Sequence, residues 1–213
     1  MTITEIYWVR HAPVTHMKGR IYGRTDVDCS TDDAGLFAAV AAELPRDAVW
    51  VTSSLRRTHQ TAAALISGGA VEGPFHKDED LDEQSMGDWH GQTWDEVNSR
   101  YDRVAHRFWI APATVAPPGG ESFADLVART ARAMQRIVET HRGRPVIAVA
   151  HGGTIRAALA IALAVDPEAA LAFQVENVSV TRMDHIDDDR HGGAWRIPFV
   201  NRMFQPRISG QVI

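Results

Sequence analysis

One cysteine, Cys29, serves all 213 residues, so no internal disulfide can form and a reducing compartment is the default. Acidic residues outnumber basic ones, the formal net charge is −5, and no block of lysines or arginines occurs. That disfavours a nucleic-acid surface, which draws most of its affinity from clustered positive charge. No apolar stretch approaches the roughly 20 residues that span a bilayer. The opening Met1-Thr2-Ile3-Thr4-Glu5 lacks the basic segment and apolar core of a secretory signal. A cytoplasmic protein with neither nucleic acid nor membrane as partner is expected. Metal chemistry lacks its usual ligands too. The ten histidines come without a cysteine cluster, a His-x-x-x-His pair or a dense carboxylate set. No lysine follows Gly152-Gly153-Thr154 to complete a Walker loop. Neither a metal nor another cofactor is expected. Internal repeats and long linkers are also missing. Residues 1–213 read as a single domain, long enough to bury a core without external staples.

Hydrophobic residues make up 45% of the chain and recur in the alternating strand and helix periods of an α/β domain. Residues 3–9 read as a first strand. A helix over 32–44 follows, capped by Thr31, with Leu36, Phe37, Val40 and Leu44 on one stripe and Pro45 closing it. Residues 48–52 form a second strand, and Ser53-Ser54 offers caps for a helix running to 66. After a turn-rich 68–74, a polar stretch over 78–91 shows little periodicity. Thr93 and Glu96 make a capping box for a helix with Trp94, Val97, Tyr101, Val104 and Phe108 on its apolar face. A loop rich in Pro and Gly over 111–120 leads to a long helix, 122–141. Strand 146–150, helix 154–164 and two strand-like runs, 175–183 and 194–200, complete the order. Residues 187–193 join those last two, whose apolar face could support a homodimer.

Two histidines stand at strand ends in this pattern. Arg10-His11 follows the first strand, and His151-Gly152-Gly153-Thr154 follows 146–150. Ligands of open α/β sheets gather at such carboxyl ends. A guanidinium beside one imidazole and glycines after the other suit a single anion site containing a nucleophile. Two more segments carry fitting groups. Ser53-Ser54-Leu55-Arg56-Arg57 lies on a first helical turn, and the polar stretch holds Asp82, Glu83 and Asp88. Three of the four continue strands, so one crevice can collect them. Neutral imidazole is a good nucleophile near neutral pH, and arginine forks match the oxygens of a transferring phosphoryl group.

The wording of these segments resembles the histidine phosphatase superfamily, which includes phosphoglycerate mutases and many phosphomonoesterases. The resemblance rests on Arg10-His11, Ser53-x-Leu55-x-Arg57-x-x-Gln60-Thr61-Ala62, and Glu83 ahead of Gly87-x-Trp89-x-Gly91. Gly119-Gly120-Glu121-Ser122 and Ala150-His151-Gly152-Gly153 complete it. It implies a three-layer α/β/α fold with a mostly parallel, mixed central sheet, phosphoglycerate mutase-like. It also implies that His11 receives the phosphoryl group while Arg10, Arg57 and His151 hold its oxygens. Glu83 would protonate the leaving group and then activate water, and Gly152 would belong to the same anion site. Gly23-Arg24-Thr25-Asp26, taken with Pro118-Gly119-Gly120-Glu121-Ser122, is similar to the α-ribazole phosphatase branch, with Arg24 as a further substrate contact.

Two positions depart from the family pattern. Ala12 stands where glycine is usual, and Met17 where an asparagine contact to phosphate is common. The expectation is metal-independent hydrolysis of a small phosphomonoester through a phosphohistidine. A mutase-type phosphotransferase and a non-catalytic phosphate-binding protein are the alternatives. Substrate-facing loops are expected over 15–28 and 101–122, where His106, Arg107, Phe108 and Trp109 can meet the leaving group.

Overall fold

The computed structural model describes residues 1–100, 106–188 and 192–205. Its central strands explain themselves by composition. β2 (Val49–Thr52) and β4 (Val146–Ala150) are buried at every position, as strands covered on both faces must be. β1 (Thr2–Arg10) runs parallel to β4, with Ile6 opposite Val146 and Arg10 opposite Ala150. β4 also pairs in parallel with β2, and β2 with the short β3 (Phe75–Lys77). On the other side of β1 the direction reverses. β5 (Val180–Asp188) and β6 (Gly192–Arg202) add as an antiparallel pair, giving the mixed order β3-β2-β4-β1-β5-β6.

Helices cover both faces. α1 (Ala34–Ala41) and α2 (Arg56–Ser67) bring Phe37, Val40, Ala62 and Leu65 against Val9, Trp50, Ile147 and Val149. On the opposite face α4 (Phe123–Thr140) and α5 (Gly152–Leu163) bring Met134, Ile137, Ile155 and Leu159 against Ile6, Trp8, Val146 and Ala148. Side chains of consecutive β1 and β4 residues therefore alternate between two cores, as the pleat requires. This is the expected three-layer α/β/α architecture. Two smaller helices complete the chain: α3 (Trp94–Arg100), and α6 (Pro167–Ala170), whose Ala170 packs with Phe123, Leu126 and Ala157 of α4 and α5. The capping box expected at Thr93/Glu96 forms, and a second one, Ser122/Asp125, starts α4.

Several boundaries differ from the sequence reading, each for a local reason. α1 starts at Ala34, because Asp33 rather than Thr31 accepts from the Leu36 amide. Its far end tightens into three-residue turns at Glu43 and Leu44. Neither Ser53 nor Ser54 caps α2, whose N-cap is Leu55 with no side-chain bond. Both hydroxyls face other partners, Ser53 at His151 and Ser54 at Asp82. α5 begins at Gly152, since Ile155 N–H already reaches the His151 carbonyl. β5 begins at Val180, not 175, because residues 175–179 fold around Arg10 and His11 instead of joining the sheet. β3 has no buried residue to announce it and forms by pairing with β2, with Phe75 stacked on Trp50 at 5.6 Å. Of the helix face expected through Phe108, Tyr101 and Val104 lie outside the described residues, and Phe108 is exposed in a loop.

Candidate active site

Register delivers the chemistry. Because Arg10 pairs with Ala150, the residues that follow, His11 and His151, leave adjacent strands side by side. Their ring centroids are 5.1 Å apart. β2 pairs beside β4, so Ser53 and the first turn of α2 emerge at the same edge. Arg57, on that turn, is fully buried and donates Nε–H to His151 Nδ1 at 3.2 Å.

His11 is 1% exposed. Its Nδ1 lies 2.7 Å from the Ala12 carbonyl, so the proton sits there and the Nε2 lone pair is left for chemistry. Burial first, and then the Arg57 and Arg10 charges, hold this imidazole well below its ordinary pKa. The surrounding chain fixes it further. Asn177 donates to the His11 carbonyl at 2.7 Å, and the Ala12 amide donates to Thr61 Oγ1 at 2.8 Å. The Ala12 methyl belongs to the core under α1 and α2. Alanine in place of glycine therefore adds packing rather than bulk in the site.

The arginines meet mostly carbonyls, not carboxylates. Arg57 donates to the Thr25 and Gly23 carbonyls at 2.8 and 2.7 Å, and its charge sits over the Tyr22 ring. Arg10 Nη1 donates to the Val175 carbonyl at 2.5 Å, while its buried Nε has no partner among the described residues. Buried guanidiniums without a paired carboxylate favour an incoming anion. His151 is placed in the site, yet both its nitrogens are engaged, one by Arg57 and the other by Ser53 Oγ at 2.8 Å. Binding an anion directly would require exchanging one of those bonds.

Glu83 arrives from the polar stretch, whose two short 3₁₀ turns (Glu79–Leu81 and Gly87–Trp89) explain its weak periodicity. Its carboxylate is buried against the start of α5, accepting from the Gly153 amide at 3.2 Å. A Cβ on Gly153 would stand 2.3 Å from Glu83 Oε1, so this glycine makes room for the carboxylate. Gly152, expected in the same anion site, lies beside the guanidiniums of Arg10 and Arg156. Arg24, expected as a further substrate contact, is engaged by a carboxylate. It pairs with Asp82 at 2.8 Å, and that carboxylate is itself buried and bonded to Ser54. Met17 is absent from the walls of the cleft beside these residues, and Tyr22 stands near His11 instead, ring to ring at 6.5 Å.

That cleft has a volume of about 500 Å³. Arg10 and Glu83 form part of its wall, with Arg20, Arg107, Tyr22, Trp94 and Trp109 around them. Sequence reading had Gly153 in the anion-site segment and Tyr22 in the substrate-facing loop over 15–28, but missed Asn177 and Thr61 as parts of the site. Thr61 lay within the Ser53-to-Ala62 motif without a role of its own, and Asn177 lay in a stretch read as strand. Among the described residues no three His, Cys, Asp or Glu side chains gather in the manner of a metal site.

A family model for the histidine phosphatase superfamily (branch 1) matches residues 6–198. The chain belongs to that superfamily. A glucosyl-3-phosphoglycerate phosphatase of Mycolicibacterium vanbaalenii is 37% identical over 175 residues, covering 76% of this chain and 75% of that protein. A bifunctional protein of Mycobacterium tuberculosis is 32% identical over 166 residues, or 76% of this chain. The match covers only 45% of that longer relative. Among solved histidine phosphatase-like folds, mycobacterial hydrolase 2 superposes with a TM-score of 0.82 at 28% identity, over 96% of this chain and 93% of the other. The α-ribazole phosphatase of Shigella flexneri shares the fold at a TM-score of 0.74 and 18% identity, covering 93% and 96%. No helix of the described residues is long and apolar enough to cross a membrane.

Proposed function

We propose that this member of the superfamily is a metal-independent phosphomonoester hydrolase working through a phosphohistidine on His11. The observation that carries the reading is His11 itself, an imidazole kept neutral, with Nδ1–H on a carbonyl and guanidiniums beside it. Its Nε2 lone pair attacks phosphorus as the ester P–O bond breaks. Arg10 and Arg57 hold the charge that spreads over the oxygens. The Glu83 carboxyl gives its proton to the leaving alkoxide, then takes one from the water that cleaves the N–P bond. Phosphate leaves and the imidazole is restored.

Two relatives are named for phosphorylated carboxylates, glucosyl-3-phosphoglycerate and phosphoserine. A cleft with Arg20 and Arg107 beside Tyr22, Trp94 and Trp109 suits a small phosphorylated metabolite whose leaving group is itself anionic. The test is phosphate release from a panel of such esters with EDTA present. Turnover is expected to persist, and His11→Ala to lower it about 10⁴-fold or more. Undiminished turnover by that variant would defeat the mechanism. Isomerised phosphoglycerate in place of free phosphate, on adding bisphosphoglycerate, would favour the mutase reading.

A further inference from the structure

Arg129, on α4, is 7% exposed and is not part of the cleft wall. Guanidinium carries five N–H donors, and here all five are used. Nε and Nη2 grip the Glu121 carboxylate at 3.0 and 2.7 Å. Nη1 donates to the Asp80 and Asp82 carbonyls at 2.9 and 2.7 Å, and Nη2 to the Glu83 carbonyl at 2.9 Å. Glu121 works on the following residues: its carboxylate accepts from the Ser85 amide at 2.9 Å, and its carbonyl from Gln84 Nε2 at 2.8 Å. One ion pair thus ties down the main chain on both sides of Glu83.

We infer that Arg129 and Glu121 form a positioning pair that aims the Glu83 carboxyl at the leaving-group oxygen. This rests on the hydrolase reading above. Segment 78–91 lies outside the sheet, with only two short 3₁₀ turns of its own to hold its carbonyls in place. A general acid must sit within hydrogen-bond reach of the atom it protonates, and displacement by about 1 Å can cost roughly a hundredfold in rate. The guanidinium fork meets three carbonyls and a carboxylate at once. Lysine, a single point donor on a flexible stem, cannot reproduce that pattern. Other supports act on the same segment: the Thr154 hydroxyl donates to the Leu81 and Asp82 carbonyls at 3.2 and 3.1 Å, the Gly153 and Gln84 amides donate to the Glu83 carboxylate, and Arg24 and Ser54 hold the Asp82 carboxylate.

The test compares kcat/KM for an alkyl phosphate, whose departing alkoxide needs a proton, with that for 4-nitrophenyl phosphate, whose leaving group needs none. Arg129→Lys and Glu121→Gln are measured alone and on the Glu83→Gln background, with circular dichroism confirming the fold. Arg129→Lys should slow the alkyl ester by about tenfold to a hundredfold and the aryl ester only slightly. On the Glu83→Gln background its added effect should vanish. Glu121→Gln, nearly isosteric, should show the same selectivity and is read by itself if Arg129→Lys does not fold. Equal slowing of both esters, or a full effect remaining in the double variant, overturns the positioning role. If Glu83→Gln itself slows both esters alike, the general-acid reading falls instead.

Discussion

His11 owes its readiness to three neighbours rather than to its own chemistry. Burial and the Arg57 and Arg10 charges disfavour the imidazolium, and the Ala12 carbonyl selects the tautomer that frees Nε2. The consequence for pH has a definite sign. A histidine with its pKa held well below 6.5 stays neutral, and nucleophilic, as pH falls through that value. For 4-nitrophenyl phosphate, whose leaving group needs no proton from Glu83, kcat/KM corrected for the substrate's own ionisation should therefore hold steady from about pH 8 down past 6.5. An acidic limb at or above 6.5 would show that His11 is more easily protonated than its surroundings imply. Arg24 stands in a different setting: its guanidinium is shared with the buried Asp82 carboxylate.

Elements set where those residues can meet. The parallel pairing of β1 with β4 places His11 beside His151, and the start of α5 presents an amide to Glu83. Gly153→Ala should crowd the carboxylate directly, since its methyl would fall 2.3 Å from Oε1. Alkyl phosphate turnover should drop by about tenfold or more, with the fold retained; unchanged kinetics would mean the carboxylate has room that the packing denies. Much of this was legible beforehand. Continuous apolar runs announced β2 and β4, and polar residues at their ends announced the site. What stayed hidden depended on distant partners. Ser53 and Ser54 carry good capping side chains, but His151 and Asp82 claim them. Residues 175–179 have the composition of a strand, yet Val178 adopts a left-handed φ of 59° so that its amide can reach the Arg10 carbonyl. No local pattern encodes that turn. The arginine–glutamate pair behind Glu83 was invisible for the same reason, because Arg129 reads as one polar position on a helix.

At the scale of the molecule, the chain is acidic overall while its cleft wall gathers arginines. Elsewhere many arginines are matched to carboxylates, as at Arg132, Arg136, Arg142 and Arg196. The two buried histidines also tie stability to pH. Burial, as the largest cause, lowers both His11 and His151 well below 6.5, with Arg57 the next contributor to each. Below 6.5 the unfolded chain binds protons that the folded chain does not, so their contribution is complete above that value and is lost as pH falls. The urea midpoint should decline between about pH 7.5 and about 5.5, and His11→Gln should shrink the decline. An unchanged slope in that variant would remove His11 from the linkage.

The central claim is that phosphorus passes through His11. Its most direct measurement is rapid mixing of the protein with a phosphomonoester in EDTA, an alkaline quench, and peptide mass spectrometry. The account predicts an acid-labile phosphoryl group on His11 that appears before steady-state phosphate release and disappears as substrate is exhausted. Phosphate release with no early burst of the alcohol and with His11 unmodified, or with the phosphoryl group on another residue, would contradict it.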